Sequence, residues 1–219
     1  MKHLRSNPAR FVKPHAQRLV FALLVVLVIS GSAFAAQNAD PKARNISQLF
    51  TKHNPKLSAA TAKNYANIVI QAGKKYKQDP YVIAAMIVHE STVNYKAVSK
   101  GGDYGLMQVR WRVHEKAIKQ EYPKIRKAAD FFDPKTNIFF GTRILSECAA
   151  KSKNLHGALL RYSGGGEKIT LKVLNTANQL HASEKSSGRS KSDDSNKPDT
   201  GTKTRKKMSF LDRLLGRNK

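Results

Sequence analysis

Cysteine is almost absent from this 219-residue sequence, which contains only Cys148. One cysteine cannot form an intramolecular disulfide, so the stability of the fold must come from an apolar core. Cys148 stands in a stretch of helical period next to Leu145 and Ala149, which favours a small buried packing residue over a nucleophile. The seven histidines show no spacing typical of metal ligands. We therefore predict neither a metal site nor a cofactor.

Acidic residues are also scarce. The sequence has 15 Asp and Glu against 40 Lys and Arg, which gives a net charge of +25. An excess of this size favours an anionic polymer as the partner, and nucleic acid is the first to consider. However, the sequence has neither an aromatic-basic RNA-binding motif nor zinc-finger spacing, and its N-terminus indicates export. We predict that nucleic acid is not a partner.

Long hydrophobic runs are missing except near the N-terminus. Residues 1–18 contain five basic residues and no acidic one, residues 19–29 are uniformly apolar, and Ala33-Phe34-Ala35 follows. This order is typical of a secretory signal peptide cleaved after Ala35, which predicts a periplasmic or cell-envelope location. The alternative is an uncleaved anchor, although the apolar core is short for a membrane span. No cysteine follows the apolar run closely, so a lipid anchor is not expected.

The most informative predicted helix starts at Asp79. Asp79 can cap this helix, and Pro80 suits its first position. The apolar residues that follow at three- and four-residue spacing are Val82, Ile83, Met86 and Ile87. Glu90 falls on the next step of this face, at the helix end, where burial and the helix dipole both favour the neutral carboxylic acid. General acid catalysis requires that neutral form; the alternative is a solvated Glu at a frayed helix end.

Three motifs then occur in order along the chain. The first combines Glu90-Ser91 with the segment DYGLMQV at residues 103–109. The second is Asn137-Ile138 with Gly141 and Leu145. The third is the segment LLRYSGG at residues 159–165.

These motifs resemble those of the lysozyme-like soluble lytic transglycosylases. That family has a catalytic Glu-Ser at a helix end followed by Gly-Leu-Met-Gln, a helix behind the site, and an Ala-Tyr-Asn-x-Gly segment. The last segment matches in part, because Tyr162 and Gly165 fit while Arg161 replaces the Ala and Ser163 the Asn. The resemblance covers roughly residues 60–170. In size the chain is closest to the small transglycosylases that accompany bacterial secretion and conjugation systems.

The resemblance implies a fold and a reaction. The fold is a mainly α, lysozyme-like single domain over residues 36–181, with a small loop or β-hairpin at the cleft. The reaction is cleavage of peptidoglycan between N-acetylmuramic acid and N-acetylglucosamine, with one Glu acting as acid and then base and leaving 1,6-anhydromuramic ends. Peptidoglycan carries peptide carboxylates, so it also suits the net charge of about +14 within residues 36–181.

The resemblance also implies roles for individual residues. Glu90 would be the general acid and base, and Asp103 would stabilise positive charge across the cleft unless it is only a turn residue after two glycines. Ser91 would hydrogen-bond near the acid, and the Tyr162 hydroxyl would reach Glu90 and orient it. The side chains expected along the sugar subsites are Tyr104, Met107, Gln108 and Ser163, although Met107 could equally belong to the core.

Two other functions stay open from the sequence. A lysozyme-like muramidase would hydrolyse the same bond with water, using Glu90 and Asp103 as its two carboxylates. A catalytically slow cell-wall-binding or assembly protein would use the cleft and the tail as interaction surfaces.

Caps and apolar spacing predict the remaining helices. They are expected from Ser58 to about Gly73, over residues 112–122, from Asp133 onward, over residues 155–162, and around the apolar residues of 169–180. Residues 182–219 are predicted to form a disordered basic tail, because most of them are Ser, Lys, Gly, Asp and Pro. Apolar residues return at helical spacing within 208–215. That short amphipathic end is predicted to contact a membrane surface or an envelope-spanning secretion or conjugation complex, or to have no specific role.

Overall fold

The computed structural model describes residues 40–189, so the predicted signal peptide and the tail beyond Arg189 lie outside the described residues. Within this range seven α-helices, one 3₁₀ helix and one two-stranded hairpin follow one another. They are α1 Pro41–His53, α2 Ala59–Tyr76, α3 Pro80–Ser91, β1 Asp103–Tyr104, β2 Val109–Arg110, α4 Trp111–Glu121, the 3₁₀ helix Ala128–Phe132, α5 Pro134–Ala150, α6 Leu155–Tyr162 and α7 Glu167–Arg189. This confirms the predicted mainly α, lysozyme-like fold with a small hairpin.

Helix α3 lies at the centre of the core. Every residue from Tyr81 to Val88 is buried, and α1, α2 and α7 all pack against it. The sequence predicted a single apolar stripe, but the helix is apolar around its whole circumference, as expected for a helix enclosed by others. Its surroundings therefore exclude water up to the turn that carries Glu90.

The helix starts follow the predicted capping residues. Ser58, Asp79 and Asp133 each accept a hydrogen bond from a backbone N–H in the first turn of α2, α3 and α5, and proline occupies the first position of α3 and α5. Side-chain caps of this kind satisfy N–H groups that have no partner within the helix. Helix α2 runs one turn beyond the predicted end near Gly73, and Lys77 closes it in the left-handed conformation.

Helix α1 was not predicted, although its sequence carried the signal. Ala43, Ile46 and Phe50 recur at three- and four-residue spacing, and all three are buried in the core. Ile46 and Phe50 are fully enclosed, so α1 belongs to the domain and is no linker after the N-terminal segment.

The predicted tail boundary at residue 182 is wrong. Helix α7 continues to Arg189, and Glu184 forms an ion pair of 2.7 Å with Lys42 of α1. The polar composition of residues 182–189 suggested disorder, but a helix that is already packed against the core can extend over polar residues at little cost.

The hairpin pairs Asp103 with Arg110 and Tyr104 with Val109, and Val98 forms a further bridge to Tyr104. Asn137 of α5 anchors the turn between the strands from behind. Its side chain accepts from the Met107 N–H at 2.9 Å and donates to the Tyr104 carbonyl oxygen at 2.9 Å. Gly105 has φ +78° and touches Asn137 so closely that a Cβ atom there would lie 2.3 Å from Nδ2, so only glycine fits.

No helix between residues 40 and 189 combines the length and apolarity that a membrane span requires.

Candidate active site

A cleft of about 550 Å³ opens between the end of α3, the hairpin, α4 and the end of α6. Six ionisable side chains line it, together with apolar ones and a polar stretch at the end of α6. The charged or titratable members are Glu90, Asp103, Arg110, His114, Arg161 and Tyr162. Both predicted carboxylates therefore face one shared space, although they are thirteen positions apart in the sequence.

Glu90 occupies the last turn of α3, at the floor of the cleft. Burial raises the pKa of its carboxyl group from 4.5 to about 7, and the nearby negative charge of Asp103 adds to the rise. Both causes act by disfavouring the ionised form. At neutral pH this group can therefore release a proton and afterwards take one up, as an acid–base catalyst must.

Asp103 has the opposite environment. The Arg110 guanidinium donates a hydrogen bond to each of its carboxylate oxygens, from Nε at 2.7 Å and from Nη2 at 3.1 Å. The Ser99 hydroxyl donates to the same carboxylate at 2.7 Å. The hydrogen bond from Arg110 is the main reason that the pKa of Asp103 is lowered, and Ser99 adds to it. The cleft therefore holds one carboxyl group that stays protonated up to about neutral pH and one that is firmly ionised, a division of roles typical of glycan-cleaving sites.

Tyr162 contacts the site differently from the prediction. Its hydroxyl donates to the carbonyl oxygen of Met107 at 2.8 Å, so its proton is not directed to Glu90. The charge of Glu90 nevertheless contributes to the raised pKa of Tyr162, after burial. Tyr162 thus lines the cleft and fastens the hairpin turn to α6 instead of orienting the acid directly.

Met107 is a core residue and lies outside the cleft lining. It is fully buried against Gly141, where an added Cβ atom would lie 2.7 Å from the Met107 Cβ and from its sulfur. The second motif thereby receives a physical explanation: the missing side chain of Gly141 makes room for Met107, and the hairpin turn rests directly on α5. Of the two roles that the sequence left open for Met107, packing is the one that the structure supports.

Tyr104 and Ser91 also do not line the cleft. The Tyr104 ring stacks at a tilt on Phe132, with centroids 5.8 Å apart, because the pleat of β1 turns it away from Asp103. The Ser91 hydroxyl donates to the Ile87 carbonyl oxygen of its own helix at 3.0 Å and is buried there. Ser91 is therefore a polar residue that caps its own helix end, and its hydroxyl does not hydrogen-bond to Glu90.

Gln108 and Ser163 both line the cleft, and their contact with a sugar stays a prediction. Gln108 adopts the left-handed conformation, with φ +46°, and its amide nitrogen donates to the carbonyl oxygens of Ala97 and Gly105. A strained backbone at a cleft residue is typical of a functional site. The Ser163 hydroxyl caps the start of α7 by accepting from the Gly166 N–H at 3.0 Å, so less of its hydrogen-bonding capacity is left for a ligand.

Sequence reasoning missed the residues that surround the two carboxylates. Arg110 and Ser99 hold Asp103, while Val113, His114, Ile144 and Ile169 complete the walls. The pairing of Asp103 with Arg110 could have been found, because a hairpin through Gly105 places them opposite each other. The contributions of α4 and α5 had no signal in the sequence. No group of three or more metal-binding side chains lies together within residues 40–189.

A mainly α domain whose central helix ends in a largely buried carboxylic acid, with a hairpin carboxylate in the same cleft, defines a lysozyme-like fold. The family model for the transglycosylase SLT domain matches residues 67–185, more than half of the chain. The chain belongs to this family. The matched range contains the three motifs, α3, the hairpin, α5, α6 and most of α7.

A curated relative agrees with this assignment. The membrane-bound lytic murein transglycosylase E of Buchnera aphidicola subsp. Acyrthosiphon pisum (strain APS) is 34% identical over 98 residues. The match covers 42% of this chain and 43% of the relative, so the chain spans less than half the length of that protein.

Proposed function

We propose that this protein is a lytic transglycosylase that cleaves peptidoglycan glycan strands between N-acetylmuramic acid and N-acetylglucosamine. The observation that carries the proposal is Glu90, whose buried position in the cleft raises the pKa of its carboxyl group to about 7. The membership in the SLT family and the murein transglycosylase among its relatives support peptidoglycan as the substrate.

In the proposed reaction Glu90 acts twice. Its carboxylic acid first gives a proton to the glycosidic oxygen, the bond from that oxygen to C1 of the muramic acid breaks, and N-acetylglucosamine leaves as an alcohol. The substrate's own N-acetyl group helps to stabilise the cationic C1. The Glu90 carboxylate then takes the proton of the C6 hydroxyl while its oxygen bonds to C1, which closes the 1,6-anhydro ring. The acid form is restored and no water is consumed.

Asp103 is proposed to stabilise positive charge at C1. Arg110 and Ser99 keep it ionised and hold it rigidly, which favours an electrostatic role over that of a nucleophile that must move and form a bond. The presence of this second carboxylate in the same cleft is the observation that favours the alternative, a muramidase in which water attacks C1.

Mass spectrometry of digested peptidoglycan separates these reactions. Anhydromuramic products are lighter by one water than the reducing ends that a hydrolase leaves. We expect anhydro products from the wild-type protein and none from Glu90→Gln. Reducing ends would instead assign the muramidase reaction, and an absence of both products would leave wall binding without catalysis as the function.

The location and the tail are also proposals. The basic and apolar order of residues 1–35 supports export by a signal peptide, and the membrane-bound relative supports a place in the cell envelope. We propose that the basic residues beyond Arg189 tether the enzyme to an anionic membrane surface or to a secretion or conjugation complex.

A further inference from the structure

The charges that line the cleft do not cancel. Asp103 and Arg110 neutralise each other through their paired hydrogen bonds. Burial and the charge of Arg143 lower the pKa of His114, so its ring is neutral near pH 7. When Glu90 is protonated, as the first step requires, one positive charge is left on the lining, and it belongs to Arg161.

Arg161 is the least engaged of these side chains. It is exposed at the end of α6, and Nη2 makes one long hydrogen bond of 3.4 Å to the Lys151 carbonyl oxygen. No carboxylate within residues 40–189 forms an ion pair with it, whereas Arg110 and Arg143 both have such partners. Arg161 lines the cleft, and apart from this one bond its planar guanidinium keeps N–H donors in a geometry that matches a carboxylate.

Arg161 lines the same cleft as Glu90 and Asp103, so a glycan strand bound at Glu90 occupies a space that Arg161 also borders. This position is also where the chain departs from the family motif, which has a small alanine there. A long cation in the place of alanine adds a donor to the cleft without altering Glu90 or Asp103.

We propose that Arg161 forms a carboxylate-binding subsite that selects glycan strands by an anionic group attached to the sugar. The proposal rests on the proposed peptidoglycan-cleaving function. Two sources can supply this group: the carboxylates of the peptide stem, or the lactyl carboxylate of a muramic acid from which the stem has been removed. An N-acetylglucosamine oligomer has neither group.

Binding to an inactive protein tests this subsite without relying on turnover. The full chain carrying Glu90→Gln would be titrated by calorimetry with three soluble ligands of equal sugar number: fragments with intact stems, fragments with stems removed by an amidase, and N-acetylglucosamine oligomers. The same titrations would follow after adding Arg161→Ala, Arg161→Lys or, as a matched control, Arg126→Ala. Arg126 is an exposed arginine outside the cleft lining, so it accounts for the loss of one positive charge.

We expect Arg161→Ala to weaken binding of one anionic ligand by about two- to fivefold, since this is the range for an exposed ion pair. Binding of the neutral oligomer should not change. Arg161→Lys should keep part of the affinity, because lysine retains the positive charge but lacks the paired N–H donors of a guanidinium. Arg126→Ala should bind all three ligands as the parent protein does. Weaker binding of intact-stem fragments assigns a stem carboxylate, and weaker binding of amidase-treated fragments assigns the lactyl carboxylate.

Equal affinities of the Arg161 variants and the parent protein for all three ligands would overturn the subsite and leave the proposed function intact. An equal loss for the neutral oligomer would also overturn it, because the arginine would then act through packing. If the parent protein bound none of the three glycans, the proposed function itself would fail together with the subsite.

Discussion

At the scale of single residues, the site depends on two carboxyl groups in contrasting surroundings. Glu90 is largely buried at the end of the apolar central helix, while Asp103 is held by a guanidinium and a hydroxyl. Burial penalises a negative charge and hydrogen bonds stabilise one, so the pKa values of the two groups move in opposite directions. This separation allows one group to exchange a proton while the other keeps its charge.

The first prediction concerns the stability cost of ionising Glu90. In the unfolded chain this group ionises near pH 4.5, but in the folded protein only near pH 7, so between these values the folded state holds a proton that the unfolded state has lost. The free energy of unfolding should therefore fall as pH rises from 4.5 to 7, by about 3 kcal/mol in total from this group. Glu90→Gln should lack this fall.

Urea unfolding of both proteins at pH 4, 6 and 8 measures the effect. Glu90→Gln should become more stable relative to wild type as pH rises, and the difference should level off above pH 7. Parallel pH profiles for the two proteins would contradict the raised pKa of Glu90.

The second prediction concerns Asp103→Asn. Its negative charge contributes to the raised pKa of Glu90, so its removal should lower that pKa and move the alkaline limb of the pH–rate profile to lower pH. At pH 5, where Glu90 stays protonated, the rate should still fall by about a hundredfold or more with KM little changed, if Asp103 stabilises positive charge at C1.

Glu115→Gln is the matched control, because it removes an exposed carboxylate of α4 that pairs with Lys119 outside the cleft lining. That variant should have a wild-type profile. If the rate of Asp103→Asn at pH 5 fell by only a few-fold, Asp103 would have a purely structural role in the hairpin.

At the scale of secondary-structure elements, helix α5 positions the hairpin. Asn137 is fully buried and bonds to backbone groups of Tyr104, Met107 and Phe131, while Gly141 accommodates the Met107 side chain. Neither residue reaches the cleft. Their effect on the site is indirect, because they determine where β1 places Asp103 and where the turn places Gln108.

The third prediction is that Asn137→Ala destabilises the fold and weakens catalysis together. The substitution leaves buried N–H and C=O groups of the hairpin without partners, at a cost of about 1–3 kcal/mol for each group. Thermal unfolding and the rate of peptidoglycan digestion should both report the loss at a temperature where the variant is still folded. The rate should fall while the glycan affinity of the Glu90→Gln background changes less.

Asn175→Ala provides the control for this variant, since Asn175 is an exposed residue of α7 and its side chain forms no hydrogen bond with the described residues. It should unfold at the wild-type temperature. A stable and fully active Asn137→Ala protein would show that the hairpin does not need its anchor on α5.

At the scale of the whole molecule, the folded domain is longer than the sequence predicted. The domain continues through α7 to Arg189, so any truncation that tests the tail has to start after that residue. The ion pair of Glu184 with Lys42 is partly exposed and should contribute no more than about 1 kcal/mol.

The fourth prediction concerns the tether proposed for the residues beyond Arg189. Truncation after Arg189 should leave the digestion of soluble glycan fragments unchanged, because the cleft lies wholly within the described domain. Sedimentation with anionic lipid vesicles should fall for the truncated protein, and the difference from the full chain should shrink as salt rises. Equal sedimentation of both proteins at low and moderate salt would exclude a membrane tether.

The amino-acid sequence by itself predicted the helix starts and the mainly α fold. It also predicted that Glu90 lies at a helix end where the neutral carboxylic acid is favoured. These features depend on neighbours within a few positions, such as the Asp79-Pro80 cap and the apolar spacing that leads to Glu90. It also placed Gln108 and Ser163 at the cleft through resemblance to a family. It missed α1, whose apolar period was present, and it ended the domain eight residues before the end of α7.

Only the tertiary structure decided which neighbouring side chains face the cleft. Met107 packs against Gly141, Tyr104 against Phe132, and Ser91 bonds within its own helix, because the hairpin turn rests on α5. The same arrangement brings Arg110 onto Asp103 and leaves Arg161 without an ion pair among the described residues. Residues from distant helices set the burial and the charge balance of the cleft, and their proximity cannot be inferred from neighbouring positions in the sequence.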